Sequence, residues 1–140
     1  DLLLARVGCA FGARLTARAR RRILAVVARL PEHERPIERQ GFLWPRQLDP
    51  EQWRDYRVAD AADEVSQRQA DEIPVEEIAN AAAAVLGELV ALPLADLLRD
   101  TARRLGFQRL GARVEAAMQR GVDCLIARGD ARDDGGQIVG

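Results

Sequence analysis

The sequence predicts a mainly α protein with small β-hairpin wings, arranged as tandem winged-helix (helix-turn-helix) units of which the first is truncated. Three observations predict it. An internal repeat relates the two ends of the chain. Apolar residues recur at helical spacing in each copy. A hairpin signal follows each copy.

The repeat pairs Arg6-Val7-Gly8 with Arg104-Leu105-Gly106. After one extra residue in the second copy, Gly12-Ala13-Arg14-Leu15 pairs with Gly111-Ala112-Arg113-Val114 at an offset of 99. The same offset pairs Ala17 with Ala116, Arg21 with Arg120 and Ile23 with Val122. It also pairs Val26-Val27-Ala28-Arg29 with Leu125-Ile126-Ala127-Arg128.

Taken in order, residues 1–8 read as the end of a second helix whose preceding helix is missing. The helix of the first copy carries Leu15, Ala19, Ile23, Val26, Val27 and Leu30 on one face. A hairpin follows over Ile37–Trp44, with Gln40-Gly41 at its turn and Pro45 as its stop. These elements make a truncated unit over 1–48, whose apolar face needs cover from elsewhere. Residues 49–72 read as an acidic linker. Its start, Asp49-Pro50-Glu51-Gln52, has the signals of a short helix carrying Trp53 and Tyr56.

Residues 73–140 read as a complete unit. Pro74 suits a first helical turn, and Glu76 and Glu77 suit its positive end. That helix runs through Ile78, Ala82, Val85, Leu86 and Leu89, and Pro93 breaks the chain. A second helix over about 94–105 presents Leu94, Leu97, Leu98, Ala102 and Leu105, with Gly106 at its cap. A third carries Val114, Met118, Val122, Leu125 and Ile126, and Ala131–Val139 forms the wing. Helix, helix, turn, helix and hairpin is the winged-helix order.

Composition bounds the function. The 140 residues are 48% apolar, so the chain has enough apolar content for a core and is not disordered throughout. All 21 basic residues are Arg, against 22 acids, for a net charge of −1. There are 24 Ala, one Ser and one Asn, a bias expected of a GC-rich bacterial genome. No apolar run reaches the length of a membrane span. The chain opens Asp1-Leu2-Leu3-Leu4 without an initiating Met or signal peptide, and reads as a piece of a longer, cytoplasmic protein.

Charge is uneven. Residues 1–48 hold ten Arg and four acids; residues 49–90 hold three Arg and eleven acids; residues 91–140 hold eight Arg and seven acids. Either the basic and acidic parts neutralise each other, or the basic part meets nucleic acid. The sharpest signal is the stripe Arg14, Arg18, Arg21, Arg22 and Arg29, away from the apolar face of the first-copy helix. Cations four residues apart repel unless an anion lies between them. A phosphate would relieve that, bound bidentately by Arg. In the second copy Arg109 and Arg113, with Arg103 and Arg104, surround the turn before the third helix. They are either backbone-phosphate contacts or solvated surface.

Other motifs carry less. Phe42, Trp44 and Trp53 are either stacking platforms for single strands or core residues. His33 lies between Glu32 and Glu34, but no second His exists to complete a metal site. Cys9 and Cys124 are distant in sequence and read as packing thiols. Gly8-Cys9-Ala10-Phe11-Gly12 lacks the Lys-Ser/Thr of a phosphate loop. No nucleophile–base triad is present, so neither catalytic residues, a metal nor a cofactor is expected.

Residues from about 73 to 128 resemble the uncharacterised domain at the C-terminus of large bacterial and archaeal superfamily-one helicase-like proteins. The resemblance rests on Glu72-Ile73-Pro74-Val75-Glu76-Glu77-Ile78-Ala79, Asp96-Leu97-Leu98-Arg99, and the run from Arg103 to Val114. Phe42-Leu43-Trp44-Pro45 is similar to a closing element of the region before that domain. The resemblance implies an accessory segment behind helicase motor domains, often with a restriction-endonuclease-like domain between. Expected partners are therefore DNA, the parent chain's helicase and nuclease domains, or a second copy in a dimer. The expected role is non-catalytic DNA binding; the alternative is a protein-interaction or dimerisation module.

Overall fold

The computed structural model describes residues 16–60, 62 and 66–140. The chain divides into two units, 1–50 and 51–140. The described residues form α-helices with small antiparallel sheets. The expectations placed on residues 1–15, including the end of a preceding helix, Cys9 and Arg14, fall outside the described residues.

In the first unit, helix α1 spans Ala17–Arg29. Thr16 sits at its N-cap in an extended conformation, and its Oγ1 accepts from Ala19 N at 3.1 Å. At the other end Arg35 Nη2 donates to Ala28 O at 2.9 Å and Leu30 O at 3.2 Å, answering two of the helix's last carbonyls. Strands β1 (Ile37–Arg39) and β2 (Phe42–Trp44) then pair antiparallel, Ile37 opposite Trp44. Gln40 and Gly41 turn between them with φ of 51° and 80°, as a two-residue hairpin requires. Trp44 is buried, yet no residue of α1 is; Val26 is 61% exposed.

The second unit starts earlier than the sequence suggests. Residues 51–72, which read as a linker, group with it. The short helix expected near Pro50 is one 3₁₀ turn, Pro50–Gln52. The chain does not continue as helix, because the Trp53 and Asp55 carbonyls both accept from Asn80 Nδ2 at 2.9 Å. Further on, a second 3₁₀ turn, Ala70–Glu72, precedes the main helices.

Helices α2 (Val75–Leu89), α3 (Leu94–Arg104) and α4 (Ala112–Ala127) build the core. Helix α2 supplies Ile78, Ala79, Ala82, Val85 and Leu86; α3 supplies Leu97, Leu98 and Ala102; α4 supplies Ala117, Met118, Val122 and Leu125. Small residues on α2 and Gly121 on α4 let the two helices approach closely.

Three strands close one side in the order β3-β5-β4. Strands β4 (Arg132–Asp134) and β5 (Gln137–Val139) form the expected hairpin, turning at Gly135 and Gly136 with φ of 64° and 91°. Strand β3 (Ala91–Pro93), which in sequence reads only as a break, pairs with β5 from the other side. Pro93 is tolerated there because β3 is an edge strand and the residue also caps α3. Buried Ile138 anchors the sheet to the helices.

Candidate nucleic-acid interface

Helix α1 is the basic element of the first unit. Residues 1–50 hold ten Arg and five acids, while residues 51–140 hold eleven Arg and seventeen acids. Arg18, Arg21, Arg22 and Arg29 are all exposed. At a rise of about 1.5 Å per residue, Arg18, Arg22 and Arg29 extend over roughly 16 Å of one helix face. Among the described residues of this unit, none of the four makes an ion pair. Two of the unit's acids lie beside other residues: Glu32 pairs with Arg46 at 3.4 Å, and Glu34 lies 3.4 Å from His33.

The two candidate helices are not equivalent in register. The offset of 99 sets Arg18 against Ala117 and Arg22 against Gly121, both buried in α4. Helix α1 and α4 begin at Ala17 and Ala112, an offset of 95, and the hairpin turns at Gln40 and Gly135 differ by 95 as well. Helix α4 is three residues longer than α1, and its connection to the hairpin is correspondingly shorter. The sequence repeat therefore does not carry a constant register into the structure.

The arginines of the second unit are mostly taken. Arg103 bonds Asp100 at 3.1 Å, and Arg104 bonds Glu88 at 2.5 Å and the Tyr56 hydroxyl at 3.3 Å. Those bonds from Glu88 and Tyr56 raise the Arg104 pKa further. Arg113 Nη2 donates to Asp71 Oδ2 at 2.6 Å, and this holds the Asp71 carboxyl below its ordinary range. Arg109 is exposed, with no ion pair among the described residues. The solvent side of α4 also carries Glu115 and Asp123, and Asp123 accepts from Gln119 at 2.9 Å. The wing is acidic at Asp133 and Asp134. Of the expected set, then, the structure leaves the described α1 arginines and Arg109 unpaired and ties Arg113 down.

A buried polar group with no counterpart among the sequence expectations holds Trp53, Asp55, Arg57 and Arg68 against α2. Glu77 accepts from Arg57 Nε at 2.8 Å and from Arg68 Nη1 at 2.5 Å. The Arg68 and Glu77 side chains are 3% and 2% exposed. Burial pushes the Glu77 carboxyl up, but the hydrogen bonds and charges of Arg57 and Arg68 outweigh it and hold it low. Asn80, the chain's only Asn, adds a bond from Arg128 Nη1 to its Oδ1 at 2.9 Å. The signal available in sequence was Arg57 and Arg68, two of the three arginines in an otherwise acidic stretch.

Trp44 is buried, and Phe42 and Trp53 are half-buried. Among the described residues no group of three His, Cys, Asp or Glu is placed to hold a metal ion, and no helix is long and apolar enough to cross a membrane. Searched against family models, curated proteins and solved structures, the chain matches none.

Proposed function

We propose that this chain is a non-catalytic accessory region that binds DNA through the first unit, with α1 contacting backbone phosphates. The observation that carries the reading is the set Arg18, Arg21, Arg22 and Arg29, exposed on one helix and without an ion pair among the described residues. Exposed guanidinium groups along one helix gain from contact with a polyanion. Arg14 belongs to the same stripe in sequence. The second unit is a winged helix on this reading. Support comes from its order, helix, strand, helix, helix and hairpin, and from the pairing of β3 with the hairpin. The association with a helicase-like parent rests on the resemblance of residues 73–128 described above.

A second reading is favoured by one observation. Residues 51–140 carry a net charge of −6, and most of their arginines are paired, so on this reading the unit as a whole is a poor match for DNA. It then serves as a protein-docking module for the parent's helicase or nuclease domains, or for a second copy. Fluorescence anisotropy with labelled duplex, forked and single-stranded DNA over a salt series tests the first reading. Binding that weakens steeply with salt supports it, and no binding at low salt contradicts it. Light scattering tests dimerisation: a monomer that binds DNA removes support from the dimer form of the second reading.

A further inference from the structure

The 3₁₀ turn Ala70–Glu72 delivers a carboxylate to the solvent face of α4. Asp71 Oδ2 accepts from Arg113 Nη2 at 2.6 Å. Arg120, two turns further along the same helix, also pulls the Asp71 carboxyl down through its charge. The ion pair itself is exposed, at 69% for Arg113 and 51% for Asp71, and exposed pairs are weak. The ion pair does not fix the position of Asp71. Ala70 and Ile73 on either side are buried in the core, and Arg68 is held by Glu77. Gln69 N donates to Glu72 Oε2 at 2.8 Å and closes the turn. The acid is thus preorganised against Arg113, on the same helix as the exposed Arg120.

We propose that Arg113 and Arg120 form an anion site for nucleic-acid phosphates on α4, and that Asp71 occupies it as an intramolecular competitor. The proposal rests on the nucleic-acid reading above and extends it to the second unit. A phosphate diester offers the same pair of acceptor oxygens as a carboxylate and suits the guanidinium fork. Arg109 lies exposed just before α4 and extends the cationic edge. Glu115 and Asp123 on the same helix limit the site to a few phosphates. The weakness of an exposed pair makes the competitor displaceable by a polyanion at low salt, while added salt screens both the pair and the phosphate contact.

The test uses the full chain, a short labelled duplex and a salt series. Asp71→Asn keeps the turn and removes the charge. It is expected to tighten binding at low salt roughly threefold or more, and to steepen the salt dependence by about one phosphate contact. Arg113→Ala in the Asp71→Asn background is expected to return both values to those of the wild type. Equal binding by Asp71→Asn and wild type overturns the proposal and leaves the first-unit reading standing. A gain that survives Arg113→Ala overturns it too, because Arg113 is then not the phosphate ligand, and so does an equal reversal by Arg132→Ala in the same background, because that variant carries the same net charge and the effect is then charge and not a site. Binding by Asp71→Asn where the wild type shows none supports the gated site and removes the first-unit reading. Absence of binding by either protein overturns both.

Discussion

Gly121 on α4 meets Ile78 on α2 so closely that a Cβ at position 121 would lie 2.2 Å from Ile78 Cγ2 and 3.2 Å from the Ile78 carbonyl carbon. Rotation of the Ile78 side chain could relieve the first contact, but Ile78 Cβ would lie 2.6 Å away and is fixed by the backbone. The crossing of the two longest helices therefore depends on a hydrogen at this position. Gly121→Ala is expected to destabilise the second unit by about 1–3 kcal/mol, since overpacking a filled core forces the helices apart. Chemical denaturation followed by circular dichroism measures it. An unchanged or raised midpoint would show that the helices do not cross here.

Glu77 ties the stretch from Arg57 to Arg68 onto α2, and its partner Arg68 is as buried as it is. Glu77→Gln leaves a buried guanidinium without its counter-charge, a change expected to cost roughly 3–5 kcal/mol. Proteolysis between residues 53 and 72 should accelerate in the variant. Cleavage no faster than in the wild type would contradict the structural role.

The same carboxylate sets an acid dependence. Its folded pKa lies below the ordinary glutamate value of about 4.3, so its contribution is present above that pH. The contribution disappears as pH falls through the folded value. Wild-type stability is expected to drop more steeply with acid than that of Glu77→Gln. Parallel pH profiles for the two proteins would remove Glu77 as the cause.

Val90 ends α2 with φ of 65°, a conformation that costs a β-branched residue energy, while 72% of it is exposed. Its N–H donates to Leu86 O at 2.7 Å and its carbonyl accepts from Gly140 N at 3.1 Å, so the turn into β3 is fixed. Val90→Gly relieves about 1–2 kcal/mol of strain against an entropic cost of about 0.5–1 kcal/mol. A melting temperature equal to or slightly above that of the wild type is expected. A fall of several degrees would mean that the Val90 side chain stabilises the fold by more than its strain.

Much of this fold was legible in the residues. Helical spacing located α1 to α4, and Gln40-Gly41 and Gly135-Gly136 marked both hairpins, because positive φ is a property of one or two residues. Strand β3 was not legible, since three residues ending in Pro are too short to show alternation. The stretch 53–72 resembles a linker because its polarity suggests solvent, whereas Arg68 and the Trp53 and Asp55 carbonyls satisfy buried groups on α2. The α1 stripe was visible as charge, but its register against α4 was not. Sequence matching aligns residue types, while Gly121 and Arg22 differ in what they face. The Asp71 to Arg113 pair spans 42 residues and had no local signal.

Phosphate binding by α1 is tested most directly by comparing the salt dependence of duplex binding for the wild type and for Arg18→Ala plus Arg22→Ala. Weaker binding is expected, with a log–log slope shallower by about 0.9 for each phosphate that the variant no longer neutralises. An unchanged affinity and slope in a folded variant would contradict it.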